Sequence, residues 1–241
     1  IKMQNKIAFI AGTRPELVKI SPLVKELNSV VIFTGQHFDK NMSDNFINLL
    51  QCEEIIYIKK NDNKSEEHLK NITKKISEII EKTNIEKFVV QGDTNSTLAG
   101  SIAVKSEKKT LYFIESGMRS NDISQIEEYN RIITSHLADT NFCNHELNKN
   151  NLIREGINPE KIFVLGSTVY AAMSNMKISK LDNNIEKPYI LLTLHRPENV
   201  DDPRHLDSLL KAVNSLNETI IFPMHPRTRK NIKGNLKKYK N

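Results

Sequence analysis

The chain has 241 residues, of which 38% are hydrophobic and 27% charged, and its formal net charge is +6. This size and balance are typical of a soluble globular protein with one large or two modest domains. Lysines alternate with glutamates and aromatic residues are few, so we interpret the positive charge as a solvated surface and not as a nucleic-acid interface.

Several other classes of protein are also disfavoured by the sequence. No apolar run approaches the roughly 20 residues that a membrane span requires, and residues 1–6 lack the apolar core of a signal peptide. Cys52 and Cys143 are far apart and outside any metal-ligand spacing, which argues against a disulfide framework or a zinc site. These features predict a protein of the reducing cytoplasm.

In the first part of the chain, short β-branched or aromatic runs alternate with longer amphipathic stretches. This alternation predicts an α/β domain with a parallel sheet and crossover helices. The predicted strands cover residues 7–11, 30–34, 55–58, 88–90, 111–114, 142–143 and 162–165. The predicted helices cover residues 17–28, 65–83, 96–105 and 127–137. The strongest helix pattern is one apolar stripe at helical spacing, formed by Leu69, Ile72, Ile76, Ile79 and Ile80.

A second αβ series follows a segment that is poor in apolar residues. That segment, 174–187, is predicted to link a first domain over 1–173 to a second over 188–241. The second series is predicted to contain a strand at 189–193, a helix at 203–216, a strand at 220–222 and a basic helical tail. About 55 residues are too few for a complete mononucleotide-binding half, so we expect an incomplete second Rossmann-like domain.

Polar and charged residues follow six of the predicted strands. In open α/β sheets, ligands bind beyond the carboxyl ends of the strands. The six segments are residues 12–16, 35–37, 92–94, 115–119, 194–199 and 225–227. Together they predict a cleft lined with charges of both signs, which suits an anionic small substrate.

The first of these segments, Gly12 to Glu16, has two interpretations. A glycine turn into a helix exposes backbone N–H groups to an anion, and Arg14 is suited to a bidentate phosphate contact. Alternatively it is an ordinary strand-to-helix turn, with Pro15 at the first helical position and Glu16 opposing the helix dipole.

Three carboxylates, Asp93, Glu115 and Glu127, are candidates for acid–base chemistry. A carboxylate at a strand end, shielded from water, can carry protons near neutral pH, and two in different environments can divide the acid and base roles. Asp93 could instead cap the next helix, and Glu127 could oppose a helix dipole. His195 could protonate or bind a leaving phosphate, or be a solvated loop residue.

Taken together, these segments resemble the non-hydrolysing UDP-N-acetylglucosamine 2-epimerases. The matching motifs occur in the family's order and cover nearly all of the chain from Lys6 to His225. They are Gly12-Thr13-Arg14-Pro15-Glu16 with Lys19, Thr34-Gly35-Gln36-His37, Gly92-Asp93-Thr94, Glu115-Ser116-Gly117-Met118-Arg119-Ser120, Glu127-Glu128-Tyr129-Asn130-Arg131 and Thr193-Leu194-His195-Arg196-Pro197-Glu198-Asn199.

The resemblance implies a GT-B-type fold, in which two Rossmann-like domains enclose a nucleotide sugar. It also implies elimination of UDP to a bound 2-acetamidoglucal and re-addition, which converts UDP-N-acetylglucosamine to UDP-N-acetylmannosamine for cell-surface polysaccharides. It implies a homodimer and no metal or redox cofactor. The implied catalytic residues are Asp93, Glu115, Glu127 and His195. The implied substrate- and UDP-binding residues are Arg14, Lys19, Gln36, His37, Arg131, Arg196, Glu198 and Asn199.

The sequence departs from the family pattern at several places. Phe113 stands where the family has a histidine, Ile126 replaces a proline, and Ala171 stands where the family has an aspartate. Gln36 and His37 retain only part of the motif with which bacterial members bind an activating second substrate. The uridine-diphosphate-binding segment Ser-Gly-Gly-x-Gln-Glu-Glu is absent from the sequence. A hydrolysing or diacetamido-uronate-specific epimerase, a GT-B glycosyltransferase and a non-catalytic nucleotide-sugar-binding protein remain alternatives.

Overall fold

The structure is a computed structural model, and it describes residues 6–35, 50, 52, 54–58, 65–175 and 188–232. The chain divides into two compact units, Ile1–Met176 and Lys177–Asn241. Among the helices in the described ranges, none combines the length and the apolar character needed to cross a membrane.

The first unit is built on a parallel sheet, to which the residues described contribute seven strands. The strands are β1 (Ile7–Ala11), β2 (Ser29–Phe33), β3 (Ile55–Tyr57), β4 (Lys87–Gln91), β5 (Thr110–Ser116), β6 (Thr140–Cys143) and β7 (Ile162–Val164). Their order is β3-β2-β1-β4-β5-β6-β7, and every pair is parallel. The chain therefore proceeds outward in opposite directions from β1 and β4, and the space between these two strands is the topological switch point.

Helices cover both faces of this sheet. They are α1 (Arg14–Glu26), α2 (Ser65–Lys82), α3 (Asn95–Ser106), α4 (Ile126–Leu137), α5 (Glu146–Arg154) and α6 (Thr168–Asn175). Alternate residues of β1 face opposite layers, as a strand requires: Ile10 packs with α2 and α3, and Phe9 packs with Leu17 and Ile20 of α1. Helix α4 packs on α3 in the first layer, and α6 packs on α1 in the second.

The first helix begins at Arg14, three residues before the predicted start at 17. The prediction was wrong because the start is set by polar groups: the Glu16 carboxylate accepts a hydrogen bond from the Thr13 N–H at 2.7 Å, which caps the helix. Pro22 lies inside the helix and has no N–H for the Val18 carbonyl. The Ser21 hydroxyl donates to that carbonyl at 2.8 Å, so the helix continues.

The predicted helix over 65–83 is confirmed as α2, and its apolar stripe lies in the core of the first layer. Helices α5 and α6 were not predicted. Each is short and buries one residue, Leu152 in α5 and Ala172 in α6, which is too little for a visible hydrophobic period. Ser174 and Asn175, the first residues of the predicted linker, belong to α6.

The second unit contains two parallel strands and three helices within its described residues, 188–232. They are β8 (Tyr189–Leu191), α7 (Pro197–Val200), α8 (Pro203–Asn214), β9 (Thr219–Ile221) and α9 (Pro226–Asn231). Val200, Leu206 and Leu210 form the buried core, with Leu194 and Phe222 packed against it. The predicted strands and helix are all present, with ends one to two residues shorter or shifted.

Candidate active site

Polar side chains gather at the carboxyl edge of the first unit's sheet, on both sides of the switch point. The loop after β1 contains Gly12 and Thr13, and the loop after β4 contains Gly92 and Asp93. Glu115 lies near the end of β5, the next strand along. Because the carboxyl ends of parallel strands meet at one edge, two of the predicted catalytic carboxylates share this region.

Asp93 is held by helix α4. Nη1 of Arg131 lies 2.5 Å from Oδ2 of Asp93, and the Asn130 side-chain amide donates to the Asp93 backbone carbonyl at 2.9 Å. Gly92, at φ +81°, provides the turn that precedes it. The Asp93 side chain remains 40% exposed, so the carboxylate is both oriented and accessible to a ligand.

Glu115 has a backbone conformation that is uncommon for a residue with a side chain. Its φ is +66°, and the pairing of β5 with β6 shifts register between Ile114 and Ser116. Strain of this kind persists only where surrounding contacts impose it, and it is enriched at functional sites. Oε2 of Glu115 accepts from Lys19 Nζ at 2.6 Å and also from Nε2 of Gln91, whereas Oε1 lies 3.5 Å from the Asn144 amide. One oxygen is therefore firmly held and the other only loosely.

The two carboxylates are paired with cations from opposite helical layers. Arg131 projects from α4, in the layer that contains α2 and α3, whereas Lys19 projects from α1, in the other layer. The cationic partners thus reach the sheet edge from its two sides. This arrangement suits two proton-transferring groups that must act from different directions.

Glu127 is exposed in the first turn of α4, and the neighbouring Glu128 is the residue that makes the interior contacts. Glu128 is 2% exposed, and its carboxylate accepts from Arg131 Nη2 at 2.6 Å and from the Ser120 and Asn121 N–H groups. Burial raises the pKa of Glu128, but the Arg131 and backbone hydrogen bonds outweigh it and leave the pKa below its usual range. Glu128 therefore orients Arg131, which in turn orients Asp93.

The turn after β1 resolves the two interpretations of its backbone N–H groups. The Gly12 and Thr13 N–H groups donate to Oε2 of Glu16 at 2.8 and 2.7 Å. The anion that these amides bind is therefore the protein's own carboxylate, in agreement with the interpretation that Glu16 opposes the helix dipole. Arg14 is the half-buried first residue of α1.

Sequence reasoning gave no site role to three polar residues at this edge, Gln91, Glu128 and Asn144. It also missed that Glu16 links two loops. Gln91 and Asn144 follow or end buried strands, which is the signal that could have identified them. Gln91 Oε1 and Asn130 Oδ1 are buried without a hydrogen-bond partner within the described structure. Each belongs to an amide that donates to a predicted catalytic residue, so each carries a spare acceptor beside the site.

In the second unit, His195, Arg196, Glu198 and Asn199 occupy the loop after β8 and the start of α7. The His195 ring lies 5.8 Å from the ring of His225, which follows β9 and whose Nδ1 accepts from the Arg227 N–H. Arg196 and Glu198 form an exposed ion pair at 3.8 Å. Because His195 belongs to the second unit, its convergence with the carboxylates stays a prediction.

Gln36 and His37 lie outside the described residues. The other predicted residues of the first unit fall into two sets. Asp93 with Arg131, and Glu115 with Lys19, are brought together in direct contacts. Arg14 and Glu127 lie on the first turns of the helices that provide those cations, Arg14 on α1 and Glu127 on α4.

A hollow of about 440 Å³ lies elsewhere in the first unit, between one face of the sheet and helix α6. Strand residues such as Phe9, Tyr112 and Ile114 line it on one side, and Ala171 of α6 lines it on the other. Its walls are almost entirely apolar and offer few donors for phosphate or sugar groups. The polar carboxyl edge, and not this hollow, is the candidate active site.

Comparisons with known proteins indicate a family. Residues 23–241 match the family model described as UDP-N-acetylglucosamine 2-epimerase. A UDP-N-acetylglucosamine 2-epimerase of Methanocaldococcus jannaschii is 36% identical over 95% of this chain and 68% of its own length. A UDP-2,3-diacetamido-2,3-dideoxy-D-glucuronate 2-epimerase of Pseudomonas aeruginosa is 34% identical, over 93% of this chain and 68% of its own length.

Solved structures give the same result for the fold. The crystal structure of the M. jannaschii UDP-GlcNAc 2-epimerase, in complex with UDP-GlcNAc and UDP, matches with a TM-score of 0.83 and 34% identity. The match covers 97% of this chain and 68% of that one, so the chain spans about two thirds of the length of its relatives. The predicted α/β fold of GT-B type is thereby confirmed, and this chain belongs to the UDP-N-acetylglucosamine 2-epimerase family of isomerases.

Proposed function

We propose that the protein inverts C2 of UDP-N-acetylglucosamine to give UDP-N-acetylmannosamine, without net hydrolysis. The observation that carries the proposal is the carboxyl edge of the first unit, where Asp93 and Glu115 are each fixed by a cation from a different helical layer. Membership of the family and the nucleotide sugar bound by the M. jannaschii enzyme support it.

The first half of the proposed reaction is an elimination. A carboxylate removes the C2 proton, the C1–O bond to UDP breaks, and a bound 2-acetamidoglucal with a C1–C2 double bond results. The C2 proton is weakly acidic, so the base must be well placed and partly desolvated. Glu115, 14% exposed in its side chain and with a loosely held Oε1, fits this role.

The second half is an addition in which C2 is protonated on the other face of the sugar. UDP adds back to C1 and a proton is delivered to C2 from the face opposite to the one that lost it. Asp93, from the neighbouring loop and oriented by Arg131, is our candidate for the second proton-transferring group. Glu127 stays a candidate for the same work. One proton and UDP leave and both return, so the reaction is redox-neutral and needs no co-reactant.

Departure of UDP develops negative charge on a pyrophosphate, which cations and oriented N–H groups stabilise. We propose His195 as the catalytic group for the pyrophosphate, with Arg196, Glu198 and Asn199 beside it as binding residues. From the first unit we propose Arg14, Gln36 and His37 as binding residues, and Lys19 and Arg131 as residues that orient carboxylates. Lys19 and Arg131 are engaged by Glu115, Asp93 and Glu128, which supports an orienting role.

The test is isotope exchange at C2. Incubation of the protein with UDP-N-acetylglucosamine in D₂O should introduce deuterium at C2 of both epimers, because C2 is reprotonated by a second carboxyl group that exchanges with solvent, and the reaction is reversible. NMR and mass spectrometry follow the exchange. UDP and free N-acetylmannosamine as the only products would identify a hydrolysing enzyme. If the protein binds UDP but gives neither exchange at C2 nor a new sugar, the proposal is wrong.

A second substrate is favoured by one comparison, the 34% identity to the P. aeruginosa enzyme named for a diacetamido-glucuronate nucleotide. Such a substrate differs by an acetamido group at C3 and a carboxylate at C6. Offering both nucleotide sugars in equal amounts and comparing kcat/KM separates the two. A preference of more than about tenfold, or roughly 1.4 kcal/mol, for the uronate would reassign the substrate.

We also propose that the enzyme acts as a cytoplasmic homodimer that supplies precursors for cell-surface polysaccharides. UDP-sugars are made and used in the cytoplasm, which supports that location. Sedimentation of the purified protein tests the dimer, and a single species of monomer mass at micromolar concentration would contradict it.

A further inference from the structure

Glu16 is a buried carboxylate that bridges the two loops of the switch point. It is 4% exposed. Its Oε2 accepts from the Gly12 N–H, the Thr13 N–H and the Thr13 hydroxyl at 2.7–2.9 Å. Its Oε1 accepts from the Thr94 hydroxyl at 2.7 Å and the Thr97 hydroxyl at 3.0 Å. All five donors are neutral, and they belong to two separate segments of the chain.

The contacts of Oε1 go beyond what a helix cap requires. A cap satisfies N–H groups of its own helix, as Oε2 does for α1. Oε1 instead reaches across the switch point to Thr94, the residue after Asp93 and the N-cap of α3. A Cβ at Gly92 would lie 3.9 Å from the Glu16 side chain, so Glu16 lies beside the turn that presents Asp93.

A second connection runs from Glu16 toward Glu115. The Thr97 hydroxyl is shared between Oε1 of Glu16 and the backbone carbonyl of Gln91, at 3.0 and 2.9 Å. The Gln91 side chain donates to Glu115. Glu16 is therefore linked to both carboxylates for which we propose proton transfer: to Asp93 through Thr94, and to Glu115 through Thr97 and Gln91.

We propose that Glu16 is a positioning residue, which holds the loop after β4 so that Asp93 and its Arg131 partner stand in the geometry for proton transfer at the sugar C2. The proposal rests on the proposed function for the reaction that it serves. A misplacement of about 1 Å in a proton-transferring group costs roughly 100-fold in rate, which is the effect that such a residue prevents.

Burial makes the five hydrogen bonds to Glu16 necessary, because a buried carboxylate without donors is strongly unfavourable. Desolvation raises the pKa of Glu16, and the hydrogen bonds from Thr94, Gly12 and Thr13 oppose that rise. The hydrogen bonds that keep the carboxylate in the interior are the same ones that fix both loops. Loss of Glu16 therefore releases both loops together.

Three variants test the proposal. Glu16→Ala removes all five hydrogen bonds. Glu16→Gln keeps its amide oxygen on the Gly12 and Thr13 N–H groups, because these cannot accept, and turns its NH₂ to the Thr94 and Thr97 hydroxyls, which can rotate to accept. Thr94→Val removes one donor to Glu16, and with it the acceptor that caps the Thr97 N–H of α3, but it leaves the cap of α1 in place.

We expect kcat of Glu16→Ala to fall about 100-fold while KM changes by less than about threefold, because substrate contacts remain and the reacting geometry does not. Glu16→Gln should recover kcat to within about tenfold of the wild type, and Thr94→Val should lie between the two. A KM effect alone, or equal kcat values for the alanine and glutamine variants, would overturn the proposal.

The matched control is Asp139→Ala. Asp139 also joins two segments, through Lys105 Nζ and the Leu111 N–H at 2.8 Å, but at the amino edge of the sheet. The Asp139→Ala variant should have a lower melting temperature and an unchanged kcat. If Asp139→Ala lost as much kcat as Glu16→Ala, general destabilisation would explain both losses, and the positioning role of Glu16 would be overturned.

Crystal structures separate failure of this proposal from failure of the proposed function. In Glu16→Gln and Thr94→Val, which keep the cap of α1, the wild-type separation of 2.5 Å between Asp93 Oδ2 and Arg131 Nη1 should be preserved in the first and lengthened in the second. If the wild type shows no exchange at C2, the proposed function fails. The Asp93–Arg131 distance in the variants then still tests whether Glu16 positions Asp93. An unchanged distance in Thr94→Val overturns the positioning role even in an active enzyme.

Discussion

The two edges of the first unit's sheet carry similar ion pairs with different surroundings. At the carboxyl edge, Arg131–Asp93 and Lys19–Glu115 are separated by 2.5 and 2.6 Å. At the amino edge, Lys105–Asp139 and Lys109–Glu86 are separated by 2.8 and 2.5 Å. Separation therefore does not distinguish a pair with a proposed catalytic role from a structural one.

What differs is how completely the neighbouring groups are satisfied. At the amino edge, the Asp139 carboxylate is bonded on both oxygens by Lys105 and by the Leu111 N–H. At the carboxyl edge, Gln91 and Asn130 each retain a buried acceptor atom without a partner in the described structure, and Glu115 leaves one oxygen loosely held. Unused hydrogen-bonding capacity beside oriented charge is typical of a site prepared for a ligand.

The largest expected difference between the edges is in kcat, when one carboxylate at each edge is replaced by the corresponding amide. Glu115→Gln replaces a carboxylate by an amide whose oxygen can still accept from Lys19 and Gln91, so the fold is retained. Loss of the proton-transferring group should lower kcat about 1000-fold, within the range for general acid–base catalysis. Steady-state kinetics and C2 exchange in D₂O measure it.

The counterpart at the amino edge is Asp139→Asn. It removes a carboxylate that is likewise paired with a lysine but lies at the amino edge, away from the proposed catalytic residues, so kcat should stay within about twofold of the wild type. Equal losses of activity in the two variants would show that the carboxyl edge is no more important for catalysis than the amino edge.

A smaller effect is expected from Arg131→Lys. Lysine keeps the charge but cannot bond Asp93 and Glu128 at once with the planar fork of arginine. We expect kcat to fall about 30-fold with the melting temperature nearly preserved, because a misaligned Asp93 costs more in rate than in stability. Unchanged kcat with a strongly lowered melting temperature would show that Arg131 stabilises the fold, as the ion pairs of the amino edge do, and does not serve catalysis.

Sequence reasoning identified the strands of the first unit because each contains a short run of apolar or aromatic residues, and it identified α2 because its apolar stripe, from Leu69 to Ile80, extends over about three helical turns. It placed Asp93 and Glu115 at one edge because parallel strands share an edge. The start of α1 was misjudged, since it depends on the contacts of Glu16 and not on hydrophobic spacing.

The pairing within the site could not be predicted in the same way. Arg131 was expected near phosphate or catalytic groups, but its engagement by Glu128 depends on which of two adjacent glutamates faces inward. The difference between exposed Glu127 and buried Glu128 is one step of 100° around α4. The strained φ of Glu115 is likewise a product of the packing of β5 against β6 and leaves no mark in the residue sequence.

The smallest expected effect concerns stability at the amino edge. Burial raises the pKa of Asp139, but the hydrogen bonds and charge of Lys105, with the Leu111 N–H, hold it below the ordinary value of 3.8. Because the folded-state pKa is depressed, Asp139 stabilises the fold above that value, and the contribution disappears as the pH falls through the folded pKa. Asp139→Asn should therefore cost about 1 kcal/mol at pH 7, a modest amount for a partly exposed pair, and clearly less near pH 2. Urea unfolding at both pH values measures the two costs. A cost that grows on acidification would reverse the sign of the linkage, and the amino edge would then not be held together by the charge of Asp139.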